Sequence, residues 1–242
     1  PDVVGKTTVT ITINNKTFQV NINTLGVDVP NSLLLSTKQK KQITVKGING
    51  IKWNSSNSSV VSVSKNGTIY AKKTGNAVLI GTLGDLQLGC AVSVVTPARK
   101  RTVQKAIQIA KTCTYSQPKR MQEKFYDCSS LVWKSYHKNG VNFGMANYAP
   151  VAADMGKWCA QHKKLVSGGL SQANIQNMKL NPGDVMFETG QKNGRYKGIY
   201  HVEMITGYIF YGFDGNGKAE LGIQWAAGDE KYYPMGQMVG RP

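Results

Sequence analysis

The spacing of apolar residues changes period once along this chain, and that change limits the fold more than any other feature. From residue 7 to about residue 97, β-branched and aromatic residues alternate with polar ones. Thr8–Ile13 and Phe18–Ile22 do so on either side of Asn14-Asn15-Lys16, the pattern of a hairpin. Further short runs fall at 42–45, 50–53, 60–63, 68–71, 77–81 and 91–95, separated by turns such as Asn66-Gly67 and Thr74-Gly75-Asn76. Regularly spaced short strands of this kind predict a β-sandwich. From Thr102 the repeat lengthens. Val103, Ala106, Ile107 and Ala110 share one helical face, and further helices are predicted over 128–138, stopped by Asn139-Gly140, and over 152–161. After Pro182-Gly183 the strand pattern returns at 184–187, 201–206, 209–212 and 219–225. Helices followed by consecutive strands predict an α+β domain with an antiparallel sheet.

A chain of 242 residues holds two such domains. The boundary falls near Thr96-Pro97-Ala98-Arg99-Lys100-Arg101, dividing the chain into 1–97 and 98–242, with the basic run read as a solvated linker. At 40% hydrophobic and 18% charged residues, the composition is that of a globular chain rather than a disordered one. No apolar run approaches the roughly 18 residues a membrane-spanning helix needs. A start at Pro1, with neither methionine nor leader, reads as a mature product or an excised fragment and leaves the compartment open.

The net charge of +17 is shared by both halves, since residues 1–97 carry 10 lysines and 3 acids. Spread positive charge fits a polyanionic partner: nucleic acid, an anionic membrane or an anionic cell wall. It equally fits a merely soluble basic surface. Cys90, Cys113, Cys128 and Cys159 show no CxxC spacing, the three histidines are far apart, and HExxH is missing, so neither a metal nor a cofactor is expected. Asp214-Gly215-Asn216-Gly217 has too few carboxylates around it for a calcium loop. Cys113 and Cys159 are structural by this reading, with a disulfide between them left open.

Within the first half, Trp53-Asn54-Ser55-Ser56, Val61-Ser62-Val63, Asn66-Gly67-Thr68-Ile69 and Gly75-Asn76-Ala77 follow one another in an ordered set. Over residues 27–97 this resembles a bacterial Ig-like domain of group 2. The resemblance implies a spacer or adhesion module with Trp53 in its core. The hairpin of 7–24 precedes it, as an added strand pair or the tail of an earlier repeat.

The second half carries chemistry. Asp127 stands at the N-cap position of a predicted helix and Cys128 in its first turn. A helix N-terminus offers free N–H groups and partial positive charge, which favour a thiolate and therefore a nucleophile. The alternative is a buried structural cysteine. His201 opens an apolar strand and is the candidate base, with a third group needed to orient its ring. Tyr126-Asp127-Cys128-Ser129-Ser130-Leu131-Val132, Leu180-Asn181-Pro182-Gly183-Asp184-Val185 and His201-Val202-Glu203-Met204-Ile205 then occur in the order of the NlpC/P60 peptidases. Over residues 102–240 the chain resembles that family, and Tyr115-Ser116-Gln117 with Arg120 is closest to its phage-lysin-like branch.

This resemblance implies a papain-like fold and hydrolysis of peptidoglycan stem peptides, next to D-Glu, without a cofactor. Cys128 is then the nucleophile, His201 the base, and the Cys128 N–H an oxyanion donor, with Tyr115, Asp127 and Ser129 around the substrate. Asp127 has the alternative role of a pure helix cap. Two departures stand out: Ser130 replaces a glycine, and the strand after His201 offers Gln224 as the orienting residue, with Glu203 as competitor on the His201 face. The alternatives are an amidase cutting muramic acid from L-Ala, a wall-binding or adhesion protein without activity, and, ranked last for lack of a binding module, a nucleic-acid-binding protein. The expected setting is a secreted or surface-exposed monomer, or a phage- or mobile-element-delivered protein. Its partners are bacterial peptidoglycan and anionic wall polymers such as teichoic acids, and neither a nucleic acid nor a membrane span is expected.

Overall fold

A computed structural model describes residues 5–24, 26–46, 50–228 and 233–242. The N-terminal region runs β1 (Gly5–Ile13), β2 (Lys16–Thr24), β3 (Gly26–Asp28), β4 (Ser32–Ser36), β5 (Lys40–Gln42), β6 (Thr44–Lys46), β7 (Lys52–Ser55), β8 (Val61–Val63), β9 (Thr68–Ala71), β10 (Gly75–Leu83) and β11 (Leu86–Val95). The remainder runs α1 (Pro97–Thr112), β12 (Thr114–Tyr115), β13 (Phe125–Tyr126), α2 (Cys128–His137), α3 (Ala152–Gln161), α4 (Gln172–Gln176), β14 (Val185–Thr189), a 3-10 turn (Tyr196–Gly198), β15 (Ile199–Phe213), β16 (Ala219–Trp225) and β17 (Met238–Gly240).

The β1–β2 hairpin turns through Asn14 and Asn15, both with positive φ (49° and 60°), as a two-residue hairpin turn of right-handed twist requires. Its apolar face, Val9, Ile11, Phe18 and Val20, is exposed. Beyond it, the sheet β4-β11-β10-β7 faces β5-β9-β8. Leu35, Ile43, Val61, Ile69, Ala77, Leu79, Cys90 and Val92 fill the space between, and Trp53 packs at its margin, partly buried. The run expected over 42–45 is split. Ile43 turns into the core, 2% exposed, and the strands on either side join different sheets.

No linker follows the sandwich. β11 ends at Val95, and Thr96 caps α1 by accepting from Arg99 N, with Pro97 at the start of the helix where its missing N–H is harmless. The basic run is therefore not a solvated hinge. Arg99 pairs with the fully buried Asp184 at 2.8 Å and donates to the carbonyls of Pro182 and Pro242, and Lys100 donates to Gln39.

The C-terminal sheet has the order β16-β15-β14-β17, with every pairing antiparallel. α1, α2 and α3 bury Val103, Ala106, Leu131, Val132, Ala153 and Met155 against Phe187, Val202 and Met204 of this sheet. The strands expected at 201–206 and 209–212 form one strand of 15 residues. Register shifts at Ile205/Gly207 and Phe210/Gly212 absorb the irregularity, and Tyr208 between them is buried, its hydroxyl accepting from Leu180 N.

β15 also joins the two regions. Phe210 lies with Val78 and Ala91 of the sandwich in one cluster that includes Tyr208 and Leu221. The ring seats directly on Gly89, where an added Cβ would collide with Phe210 Cζ. Phe210 N donates to Asn31 O, and Asn76 Nδ2 donates to the carbonyls of Met178 and Leu180.

Candidate functional site

Asp127 caps α2 on both sides of its first turn. Its Oδ1 accepts from Ser130 N at 2.7 Å, while its own N–H donates to Ser130 Oγ at 2.8 Å. Ser130 thus completes a capping box, a role glycine could not fill. Ser129 Oγ donates to the same carboxylate at 3.2 Å, and Arg120 holds the other oxygen at 3.2 Å. The cap and the proposed substrate contact are therefore one buried group; Asp127 is 4% exposed. Arg120 also donates to the carbonyls of Ala149 and Pro150, and its guanidinium lies 5.3 Å from the Tyr148 ring, so it ties the α2 N-terminus to the segment leading into α3.

Cys128 begins the helix, and its thiol is largely buried. The N–H of Val202, the residue after His201, and the N–H of Ser129 face the sulfur and favour the thiolate. Burial nevertheless dominates and, with Asp127 and Glu203 nearby, holds the thiol above its ordinary value. The helix N-terminus does not by itself yield the lowered thiol expected from sequence, because the desolvation of a half-enclosed sulfur outweighs two N–H dipoles. Cys90 and Cys159 are pushed higher still, to about 12, by burial. All four cysteines are free, so Cys113 and Cys159 do not form a disulfide.

Tyr115, on β12, faces the Cys128 backbone N–H with its hydroxyl, and Tyr126 on the paired β13 stacks edge-on against it at 5.5 Å. An open cleft of about 180 Å³ runs from Cys128 past Gln117, Arg120, Asp127 and Ser129 to Val151, Arg195 and Tyr200. His201 and Tyr233 are not in its wall. β15 reaches the cleft through Tyr200, the residue before His201.

His201 lies opposite Glu188 in the β14–β15 register, and its Nε2 is 3.3 Å from Tyr233 Oη with the two rings stacked. Tyr233 is packed edge-on against Trp225, and burial pushes its hydroxyl well above the usual phenol range, so it stays neutral. Glu203 is buried, and its Oε1 accepts from Met204 N. Gln224, expected to orient His201, is elsewhere: it pairs with Gly207, and its Oε1 accepts from Ser32 Oγ of the sandwich at 2.8 Å. Six residues of extended strand separate Gly207 from His201, roughly 20 Å. The site therefore gathers Cys128, Asp127, Ser129, Tyr115 and the His201 strand, and leaves Gln224 in the joint between regions.

Sequence reasoning missed Tyr233, which sits in no periodic run, and Arg195 and Tyr200, which flank a turn. Arg120 was visible next to Tyr115-Ser116-Gln117 but carried no assigned role. Among the described residues, no three His, Cys, Asp or Glu side chains come close enough to hold a metal, and no helix is long and apolar enough to cross a membrane.

A family model described as bacterial Ig-like domain (group 2) matches residues 29–94, the stretch from just before β4 through β11. No curated protein matches the chain. Solved structures with similar parts include a bacterial Ig-like domain containing GH10 xylanase from termite gut, at 22% identity and TM-score 0.25, covering 26% of this chain and 18% of that one. Domains 4 and 5 of the S-layer protein SbsC match at 18% identity and TM-score 0.25, over 39% of this chain and 60% of theirs. A mutant of intimin from EHEC O157:H7 matches at 16% identity and TM-score 0.23, over 45% and 55%. This chain thus spans less than two thirds of each of these structures. The N-terminal region is Ig-like and β-rich; the rest mixes helices with an antiparallel sheet.

Proposed function

We propose that residues 98–242 form a papain-like cysteine hydrolase of the NlpC/P60 type that cuts a stem-peptide amide of bacterial peptidoglycan, next to D-Glu. The observation that carries this reading is the approach of the Val202 N–H to the Cys128 thiol, which brings the His201 end of β15 to the N-terminus of α2. A thiol held in its neutral form by burial needs a base at the moment of attack. In this reading the Cys128 proton passes to His201 as sulfur adds to the amide carbon. In this reading the oxyanion forms against the Cys128 N–H and the Tyr115 hydroxyl, which face each other in the resting protein. The imidazolium returns its proton to the departing amine, and water then cleaves the thioester, with His201 again as base. Tyr233 at Nε2 orients the ring, the part that the strand pattern assigns to Gln224. Asp127, Ser129 and Arg195 line the cleft where the peptide lies.

The sandwich holds the hydrolase at the wall, and the protein acts outside the cytoplasm. The Ig-like match supports a surface setting, and the excess of lysine and arginine supports attraction to an anionic wall. The raised thiol favours one other reading, a wall-binding protein that has lost activity. Digestion of defined muropeptides followed by mass spectrometry separates these. New fragments ending at D-Glu support the proposal. Free stem peptides with an L-Ala amino terminus identify an amidase, and intact muropeptides with retained pull-down by sacculi identify the inactive binder.

A further inference from the structure

A cleft without a role in this chemistry, about 590 Å³, lies between α1 and α2. Arg101, Gln104, Lys105 and Gln108 form one wall at the i, i+3, i+4, i+7 spacing of a single helical stripe, and Lys134 and Lys138 form the other. Four cations line it and no carboxylate does. Neither helix contains an acidic residue. The ion pairs of Arg99, Arg120 and Arg241 involve none of these four cations.

Like charges crowd on both helices, although Lys134 and Lys138 lie at the C-terminal end of α2, where the dipole favours a cation. Arg101 with Lys105, and Lys134 with Lys138, are like-charge pairs four residues apart, which repel. Desolvation lowers the Lys134 ammonium from its ordinary value; Cys113 and Asp127 oppose this, Arg120 and Lys105 add to it, and Lys134 Nζ donates to the carbonyls of Gln122 and Phe125. Such crowding is relieved when an anion enters.

We propose that this groove binds a phosphodiester-linked polyol chain, the chemistry of anionic wall polymers. Repeating phosphates would meet the two cationic walls, and the amides of Gln104 and Gln108 would meet hydroxyls between them. The lining holds no aromatic side chain on which bases could stack, which disfavours single-stranded nucleic acid. The groove is distinct from the Cys128 cleft. Lys138 is ten residues along α2 from Cys128, about 15 Å. A polymer held there would tether the protein without filling the site.

The test uses the whole chain and soluble poly(glycerol phosphate) as probe. The triple variant Arg101→Gln, Lys105→Gln, Lys138→Gln alters only exposed side chains. Its affinity should fall at least tenfold at physiological salt, and the slope of log K against log salt should flatten by about 2, near 0.7 for each phosphate left without its cation. A control triple, Lys41→Gln, Lys65→Gln, Lys73→Gln, makes the same change of net charge on the sandwich and should keep its affinity. Equal loss in both triples would mean diffuse attraction and overturns the proposal. Tighter binding to a single-stranded DNA with the same number of phosphates overturns it as well. Retention on sacculi that is lost on hydrofluoric-acid stripping assigns the wall-linked polymer, and capture by vesicles carrying the lipid-linked polymer assigns the membrane-linked one; either supports the proposal. Cleavage of soluble muropeptides, which lack the polymer, should be unchanged in the triple variant, so failure of the groove and failure of the hydrolase reading are told apart.

Discussion

The two regions of the molecule bury polar groups very differently. Among the described residues, the sandwich buries one polar side chain, Ser93, whereas the C-terminal region buries nine, including Asp127, Ser129, Ser130, Asp184 and Glu203. Buried polar groups are expensive unless each finds a partner, so a fold that needs only packing avoids them. The sandwich keeps its buried polar side chains to Ser93, whose Oγ is buried without a hydrogen-bond partner. The C-terminal region breaks that rule at two places: around Asp127 beside Cys128, and around Asp184 between Arg99 and Arg241. In the proposed reading the function lies in the second region, and the first packs against β15.

The contrast can be broken most directly at Asp184. Asp184→Ala leaves two guanidinium groups facing an apolar floor, and about 3–5 kcal/mol of stability should be lost. Denaturant unfolding measures this; a loss under about 1 kcal/mol would mean that the buried carboxylate is not structural. Phe210→Ala comes next. It empties the cluster shared by both regions and should cost about 3 kcal/mol. The two regions should then unfold in separate calorimetric transitions, while a single unshifted transition would show that Phe210 does not join them.

The orienting residue gives a sharper comparison of smaller size. Tyr233→Phe keeps the ring and removes the hydroxyl at His201 Nε2, so kcat should fall by roughly tenfold, the equivalent of one hydrogen bond removed at the reacting base. Gln224→Ala should leave kcat unchanged and lower only stability, because its partner is Ser32. The reverse result would restore Gln224 to the site. Ser32→Ala should cost about 1 kcal/mol by the same bond, without effect on cleavage.

The cysteines supply the last contrast. A raised thiol is neutral at low pH and forms thiolate only as pH climbs through its raised value, so iodoacetamide labelling of the resting protein should increase with pH beyond the range of an ordinary thiol. Cys128, with two N–H groups facing it, should label before Cys90 and Cys159, as peptide mapping would show. Labelling of Cys159 first would contradict the geometry.

Much of this was legible in sequence because it is local. Period-2 alternation and Asn-Asn or Asn-Gly turns depend on neighbours, so the hairpin, β9 and β16 fell where expected. The Asp127 cap and the Cys128 helix are likewise written within four residues. Long-range partners were not legible. Gln224 and Glu203 each fitted the strand pattern around His201, and only packing against Ser32 separates Gln224 from it. Tyr233 carries no periodic signal and reaches His201 across 32 residues. The basic run at 99–101 looked like a linker because its partner, Asp184, lies 85 residues away from Arg99.

The central claim is that Cys128, served by His201, cleaves peptidoglycan stem peptides. The direct measurement is digestion of purified muropeptides of known structure by the protein and by Cys128→Ala, read by mass spectrometry, with circular dichroism to confirm that both are folded. The account predicts a new peptide ending at D-Glu with the first protein and a rate at least about 10³-fold lower with the second. Cleavage at equal rates by both proteins would contradict it.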